Sequence, residues 1–304
     1  MDVRKNQRDF SPSEKASFVE ALLKLKRDGN PRTGRNYDTY VKWHMDHAMT
    51  AHRQPQFLPW HRVFVRLLEI DLNDVSGGAC PPVPYWDWTA DQSPTDSLWG
   101  SDFLGGNGDA SDDGRVKDGP FAHARGDWTL VHSSSGVDYL QRRFGELTGD
   151  LPGEREVRQC LGVTPYDVAP WGRTSDIYRS FRNRLEGWCC RSQLHNRVHV
   201  WVGGAMVEMT SPNDPVFFLH HCNVDRLWAA WQQMHPGEAY QTGAAAGANE
   251  VLAPFKKDDG SDYVVAETLD WTGMGFDYDV LPVPEADAML AESASPDETN
   301  FFSW

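Results

Sequence analysis

The sequence predicts a mainly α fold: a four-helix core with long loops and a few short β-strands around it. Three observations predict it. Apolar residues recur at helical spacing in several segments, capping signals bracket those segments, and the stretches between them are rich in Gly, Asp and Ser. The 304 residues suffice for one large domain or two modest ones. The chain shows no internal repeat and no clear interdomain linker.

The elements follow in order. Ser11-Pro12-Ser13-Glu14 reads as a helix start, with Ser11 as N-cap, Pro12 at the first helical position and Glu14 closing a capping box. Phe18, Leu22 and Leu25 continue it, and Gly29 ends it. A second helix is expected over about 37–49 and a third over about 61–75, with Phe64, Leu67, Leu68 and Leu72 on one face. Residues 90–175 read as long loops with short elements. Further helices are expected over about 177–186 and 194–201. Asp214-Pro215 opens a long one to Met234, stopped by Pro236-Gly237. Alternation over 263–280 suggests strands. Residues 281–304 carry five acids and no Lys or Arg, and are expected to form a flexible acidic tail after a domain over 1–280.

Charge and composition exclude some functions. The formal charge is 29 − 44 = −15, which argues against a nucleic-acid surface or an anionic membrane surface as partner. No run of 18 apolar residues exists, and Met1-Asp2-Val3-Arg4-Lys5-Asn6-Gln7 lacks the apolar core of a signal peptide. The five cysteines, Cys80, Cys160, Cys189, Cys190 and Cys222, have no ladder-like spacing and read as a reduced set. A disulfide between the adjacent Cys189 and Cys190 is disfavoured by strain. A cytoplasmic protein is expected, with export alongside a partner left open.

The chemistry lies in the eleven histidines. His195 and His199, at i and i+4, share a helix face, and His221 lies in the next long helix. His44 lies inside the second helix, His61 at the start of the third, and His52 between them. Taken alone, the His195/His199 pair is often surface chance. Two histidine groups in a four-helix core are a stronger signal, because bundle cores hold paired metals. A di-iron site would need inward Glu and Glu-x-x-His pairs, which are missing. An all-imidazole ligand set suits copper that cycles between two oxidation states. Asp225, one helical turn after His221, is a candidate acceptor for an imidazole N–H; an ion pair with Arg226 or a neighbour is the alternative.

These residues carry a resemblance. Ala51-His52-Arg53-Gln54-Pro55-Gln56-Phe57-Leu58-Pro59-Trp60-His61-Arg62 resembles the first copper-binding motif of the tyrosinase family. Leu194-His195-Asn196-Arg197-Val198-His199-Val200-Trp201 resembles the start of the second. Asn213-Asp214-Pro215-Val216-Phe217-Phe218-Leu219-His220-His221, with Asp225-Arg226-Leu227-Trp228, resembles its end. Pro84-Tyr85-Trp86-Asp87-Trp88 and Asp118-Gly119-Pro120-Phe121 also match. The resemblance spans roughly residues 1–275 and is to the bacterial, Streptomyces-type members, including ortho-aminophenol oxidases. It implies two copper ions, one on His44, His52 and His61 and one on His195, His199 and His221, with dioxygen as co-substrate. His47, one turn from His44, is the alternative at that position. His220 is read as packing or as support for a ligand. His123, His132 and His235 are expected to face solvent.

Two departures stand out. His44 and His52 are eight residues apart, closer than in Streptomyces relatives, which implies a trimmed loop beside the first copper. Thr50 and Ala51 precede His52, so the Cys–His thioether of fungal and plant relatives cannot form there.

A phenol has a pKa near 10 and meets copper best as phenolate, so a base is useful. The resemblance gives Glu186 and Asn196 the holding of a water that takes the phenol proton; the alternative for Glu186 is an ion pair with Arg182 or Arg184. Val200 is implied in the substrate pocket, with core packing as its alternative. The implied activity is ortho-hydroxylation of phenols and oxidation of catechols to ortho-quinones. Oxidation of ortho-aminophenols is the second reading, and haemocyanin-like oxygen carriage the third. The expected partners are a small phenolic or aminophenolic substrate and a copper-delivery protein, with no nucleic acid and no membrane.

Overall fold

Helix α1 (Pro12–Asp28) begins at a reciprocal cap. The Glu14 N–H donates to Ser11 Oγ (3.2 Å) and the Ser11 N–H to Glu14 Oε2 (2.8 Å). The computed structural model describes residues 1–188 and 192–283. Among them, α2 (Tyr37–Asp46), α3 (Ala48–Ala51), α4 (Phe57–Ser76), α5 (Glu154–Leu161), α6 (Phe181–Glu186), α7 (Leu194–Val202) and α8 (Val216–Met234) follow. Four strands complete the set: β1 (Asp2–Arg4), β2 (Val251–Lys256), β3 (Asp262–Val264) and β4 (Phe276–Tyr278). The pattern is mainly α with long loops, as expected.

The differences from expectation have local causes. The second helix stops at Asp46, and His47 joins it to the single turn of α3. Helix α4 starts four residues early, because Pro59 lies in its first turn, where a missing N–H costs no hydrogen bond. Helix α6 starts late, at the Ser180 cap, whose Oγ accepts the Asn183 N–H (3.0 Å). Asp214 caps α8 by accepting the Val216 N–H (3.1 Å), and Pro215 stands just ahead of the helix. Helix α5 falls in the expected loop; its charged residues hide the buried stripe Val157, Cys160 and Leu161. Of the expected strands, β3 and β4 form, while 265–268 is a 3-10 turn. Strands β1 and β2 were not expected. Strand β1 pairs in parallel with β4, Asp2 opposite Phe276 and Arg4 opposite Tyr278. The reading of 281–304 as a tail falls, from residue 284, outside the described residues, as does the Cys189–Cys190 pair.

Helix α8 is buried on every side from Val216 to Trp231 and forms the axis of the core. Helices α4 and α7 pack against it, and α1 packs on α4. No helix among the described residues is long and apolar enough to cross a membrane.

Asp225 anchors this packing, not an imidazole. Its carboxylate accepts from Arg4 Nη1 (2.9 Å), from Arg62 Nε and from the Tyr278 hydroxyl (2.6 Å). Arg4 makes a two-pronged contact with Glu69 (2.7 and 2.8 Å), and Arg62 lies over the Trp228 ring at 3.7 Å. Asp225, Arg4 and Arg62 are almost wholly buried, so removing the carboxylate leaves Arg62 without a counter-ion in the core, while Arg4 keeps Glu69. Arg226, the alternative partner, bonds Asp87 instead. Asp225→Ala should lower unfolding free energy by about 3–5 kcal/mol in urea titration. A loss below ~1 kcal/mol would mean that water reaches and solvates Arg62.

Candidate metal centre

Two groups of imidazoles face each other in the core. His44 from α2, His52 just after α3 and His61 from the second turn of α4 form one; His195 and His199 from α7 and His220 and His221 from α8 form the other. Within each group the ligand-capable atoms lie within 4.8 Å of one another. The groups meet where the His61 and His221 rings stack, 4.2 Å apart and 17° from parallel. His47 belongs to neither group.

Most of the rings are held by backbone carbonyls. His61 Nδ1 donates to Phe57 O (2.8 Å) and His52 Nδ1 to Ala48 O (3.1 Å), each one turn back. His44 Nδ1 donates to Met209 O (2.7 Å), and His199 Nδ1 to Met206 O (2.7 Å). His195 Nδ1 is shared between Glu186 O (3.2 Å) and Asn196 Oδ1 (3.0 Å). A carbonyl oxygen only accepts, so each Nδ1 carries the proton and each Nε2 presents a lone pair. One turn, the 3-10 segment Gly204–Val207 with Glu208 and Met209 after it, thus holds a ring of each group. Its path requires glycine. At Gly204 (φ +53) a Cβ would lie 2.2 Å from Gln141 O, and at Gly203 (φ +67) 2.9 Å from Arg143 O.

The donor atoms fit a metal. Nε2 of His44 and of His61 is buried with no hydrogen-bond partner. His221 Nε2 faces Nε2 of His195 at 3.3 Å and of His199 at 3.4 Å. The three nitrogens converge on one point, and with its Nδ1 unpartnered His221 is free to turn the Nε2 lone pair to a metal held there. Burial pushes the pKa of every one of these imidazoles down, that of His52 and His199 to about 4. They are therefore neutral at pH 7, as metal ligands must be.

A cavity of about 300 Å³ opens onto both groups, lined by His44, His52, His195, His199, Asn196 and Val200 among others. The short connector supplies Ala48 and Met49 to its wall. Glu186 does not line it. Its carboxylate is buried, accepting the Arg53 N–H (2.6 Å) and Arg182 Nη1 (2.9 Å), while its carbonyl and the Asn196 side chain meet at His195. Burial raises the Glu186 pKa, with Arg182 opposing the rise. The His220 ring lies parallel to His195 at 5.0 Å, and both its nitrogens are buried without a partner. His235, expected in solvent, is half-buried and donates to Leu161 O (2.8 Å). His123 and His132 are likewise only partly exposed. Sequence reasoning missed the Met206 and Met209 carbonyls, which no side-chain pattern reveals. It also passed over Arg53, although Arg53 directly follows His52.

A family model described as the common central domain of tyrosinase matches residues 34–234. The chain is 48% identical over 260 residues to a tyrosinase of Streptomyces glaucescens, covering 83% of this chain and 89% of that one. It is 42% identical over 270 residues to grixazone synthase of Streptomyces griseus, covering 77% and 85%. Its fold is similar to that of a polyphenol oxidase from Thermothelomyces thermophila, with TM-score 0.67 and 22% identity over 91% of this chain and 88% of that one.

The depressed histidine pKa values set a pH window. Below about pH 6.5 the unfolded chain takes up protons that the folded, metal-free chain refuses until about pH 4. Stability of the metal-free protein is thus full above that window and declines as pH falls through it. Melting temperatures measured from about pH 7 to about pH 4.5 should drop continuously; a flat profile would mean that the rings protonate in the folded state.

Proposed function

Because the chain belongs to the tyrosinase family and is a tyrosinase-like copper oxidase acting on phenols, we propose that it holds two copper ions and uses dioxygen to hydroxylate phenols at the ortho position and oxidise catechols to ortho-quinones. The observation that carries the reading is the meeting of two carboxylate-free imidazole groups at the His61–His221 stack. His44, His52 and His61 hold one copper. His195, His199 and His221, whose Nε2 atoms converge, hold the other. His220 supports His195 by stacking. When bound, the copper pair supplies the redox chemistry with dioxygen.

The protein supplies position and proton handling. The cavity admits a flat ring to His44, His52, His195 and His199, and Val200 is a small apolar part of its wall. The Glu186 carbonyl and the Asn196 side chain meet at His195. Glu186 and Asn196 are the residues that would hold a water for the phenol proton, Asn196 from the cavity wall and Glu186 through its buried carboxylate. The raised pKa of Glu186 makes it a stronger base than an ordinary carboxylate. The carboxylate keeps accepting capacity beyond its bonds to Arg53 and Arg182. The open cavity favours an enzyme over an oxygen carrier, which needs a shielded site.

The copper domain spans residues 1–280, with 281–304 as its tail. A cytoplasmic location is supported by Cys80, Cys160 and Cys222, which are buried free thiols. A copper-delivery protein is the expected partner, on the footing of the family alone.

Oxygen uptake by copper-loaded protein with tyrosine, a catechol and an ortho-aminophenol tests the reading. All three should be consumed, and Glu186→Gln should depress tyrosine hydroxylation about 100-fold more than catechol oxidation. Turnover of the aminophenol without tyrosine would replace the proposal with the ortho-aminophenol oxidase reading. Equal loss on both substrates in the variant would remove Glu186 from proton transfer.

A further inference from the structure

Among the described residues, one cation on the cavity wall has no anion. Arg53 follows His52, is half-buried, and lines the cavity with its guanidinium 4.7 Å above the Trp188 ring. Its backbone is left-handed (φ +60), a conformation that costs a non-glycine residue energy and persists where the surroundings impose it. Here the imposed contact is the Arg53 N–H donating to the buried Glu186 carboxylate at 2.6 Å. Among the described residues the Arg53 guanidinium makes no hydrogen bond or ion pair. By contrast, Arg4, Arg62, Arg142, Arg182 and Arg226 are each bonded to a carboxylate. The other charged non-histidine side chain on the wall among the described residues, Glu208, is already bonded to the Ser134 N–H (3.1 Å) and the Thr210 hydroxyl (2.9 Å). The wall therefore offers a pre-positioned cation with unused donors and a carboxylate whose lone pairs are partly taken.

We propose that Arg53 is a specificity-determining residue that selects phenols carrying a carboxylate on the arm opposite the hydroxyl. The inference rests on the copper-oxidase reading above: a phenol that puts its hydroxyl at the buried imidazoles leaves its para arm toward the mouth, where Arg53 is partly exposed. Trp188 beneath the guanidinium fixes its plane and shields one face from water. The opposite face and the edge donors are left for a carboxylate. The chain's net charge of −15 repels free anions at long range, so the preference comes from this local contact and not from steering.

The test compares 3-(4-hydroxyphenyl)propionate with tyramine on the copper-loaded protein. The kcat/KM ratio should favour the acid by about tenfold and shrink with added salt. Arg53→Lys should keep most of that ratio, Arg53→Gln should bring it near one, and Arg53→Glu should reverse it. The ratio is internal to each variant, so lower expression or copper content does not mimic the effect. Calorimetric affinities of 3-phenylpropionate and phenethylamine, which have no hydroxyl, should follow the same order. A ratio that is the same in the wild-type, Gln and Glu proteins would overturn the proposal. If no phenol is turned over at all, the copper-oxidase reading fails, and the calorimetric order alone then decides on Arg53.

Discussion

Neutral imidazoles in a buried core have to present bare lone pairs, and the rest of the structure serves that requirement. Burial keeps the rings unprotonated at neutral pH, and a hydrogen bond at Nδ1 decides which nitrogen remains free. Two of those bonds are local. His52 and His61 use carbonyls one turn back, so their orientation follows from the path of the chain around them. Two are not. His44 and His199 depend on carbonyls of the turn after α7, which couples the two histidine groups through a few residues of backbone. That turn is possible because Gly203 and Gly204 let it press against Gln141 and Arg143.

Around the site lie three buried arginine–carboxylate assemblies, each beside an element that carries a histidine. Asp225 ties α4 to α8 through Arg62 and fastens the amino-terminal strand through Arg4. Arg142 grips Asp214 at the start of α8 with two bonds of 2.7 and 2.8 Å. Arg182 joins Asp167 to Glu186 just before α7. Buried ion pairs contribute little net stability once desolvation is counted, but breaking one is costly. Their value here is positional: they fix the helices' relative phases, on which convergence of the Nε2 atoms depends.

Much of this was legible in the sequence, for physical reasons. The i, i+4 pair His195 and His199 and the long apolar run of α8 encode their own geometry. The cap Ser11-Pro12-Ser13-Glu14 does the same for α1. Other features are set by partners distant in the chain. Asp225 sits one turn from His221, where spacing suggests an imidazole partner, yet Arg4, more than 200 positions away, claims it. Helix α4 begins ahead of the expected residue 61, since Pro59 falls in its first turn, where it does no harm. Backbone carbonyls such as those of Met206 and Met209 leave no trace in residue type. Arg53 was in view inside a matched motif, but its lack of a counter-ion among the described residues appears only in the structure, beside buried arginines that are paired.

The central claim is that the two histidine groups hold copper ions close enough to act as one centre. Electron paramagnetic resonance of the fully oxidised, copper-loaded protein, read against its copper content, tests this most directly. The expected result is two coppers per chain with almost no resonance signal, because two Cu(II) ions held by these adjoining groups would couple and cancel each other's spin. One copper per chain, or two with the full signal of isolated Cu(II), would contradict it.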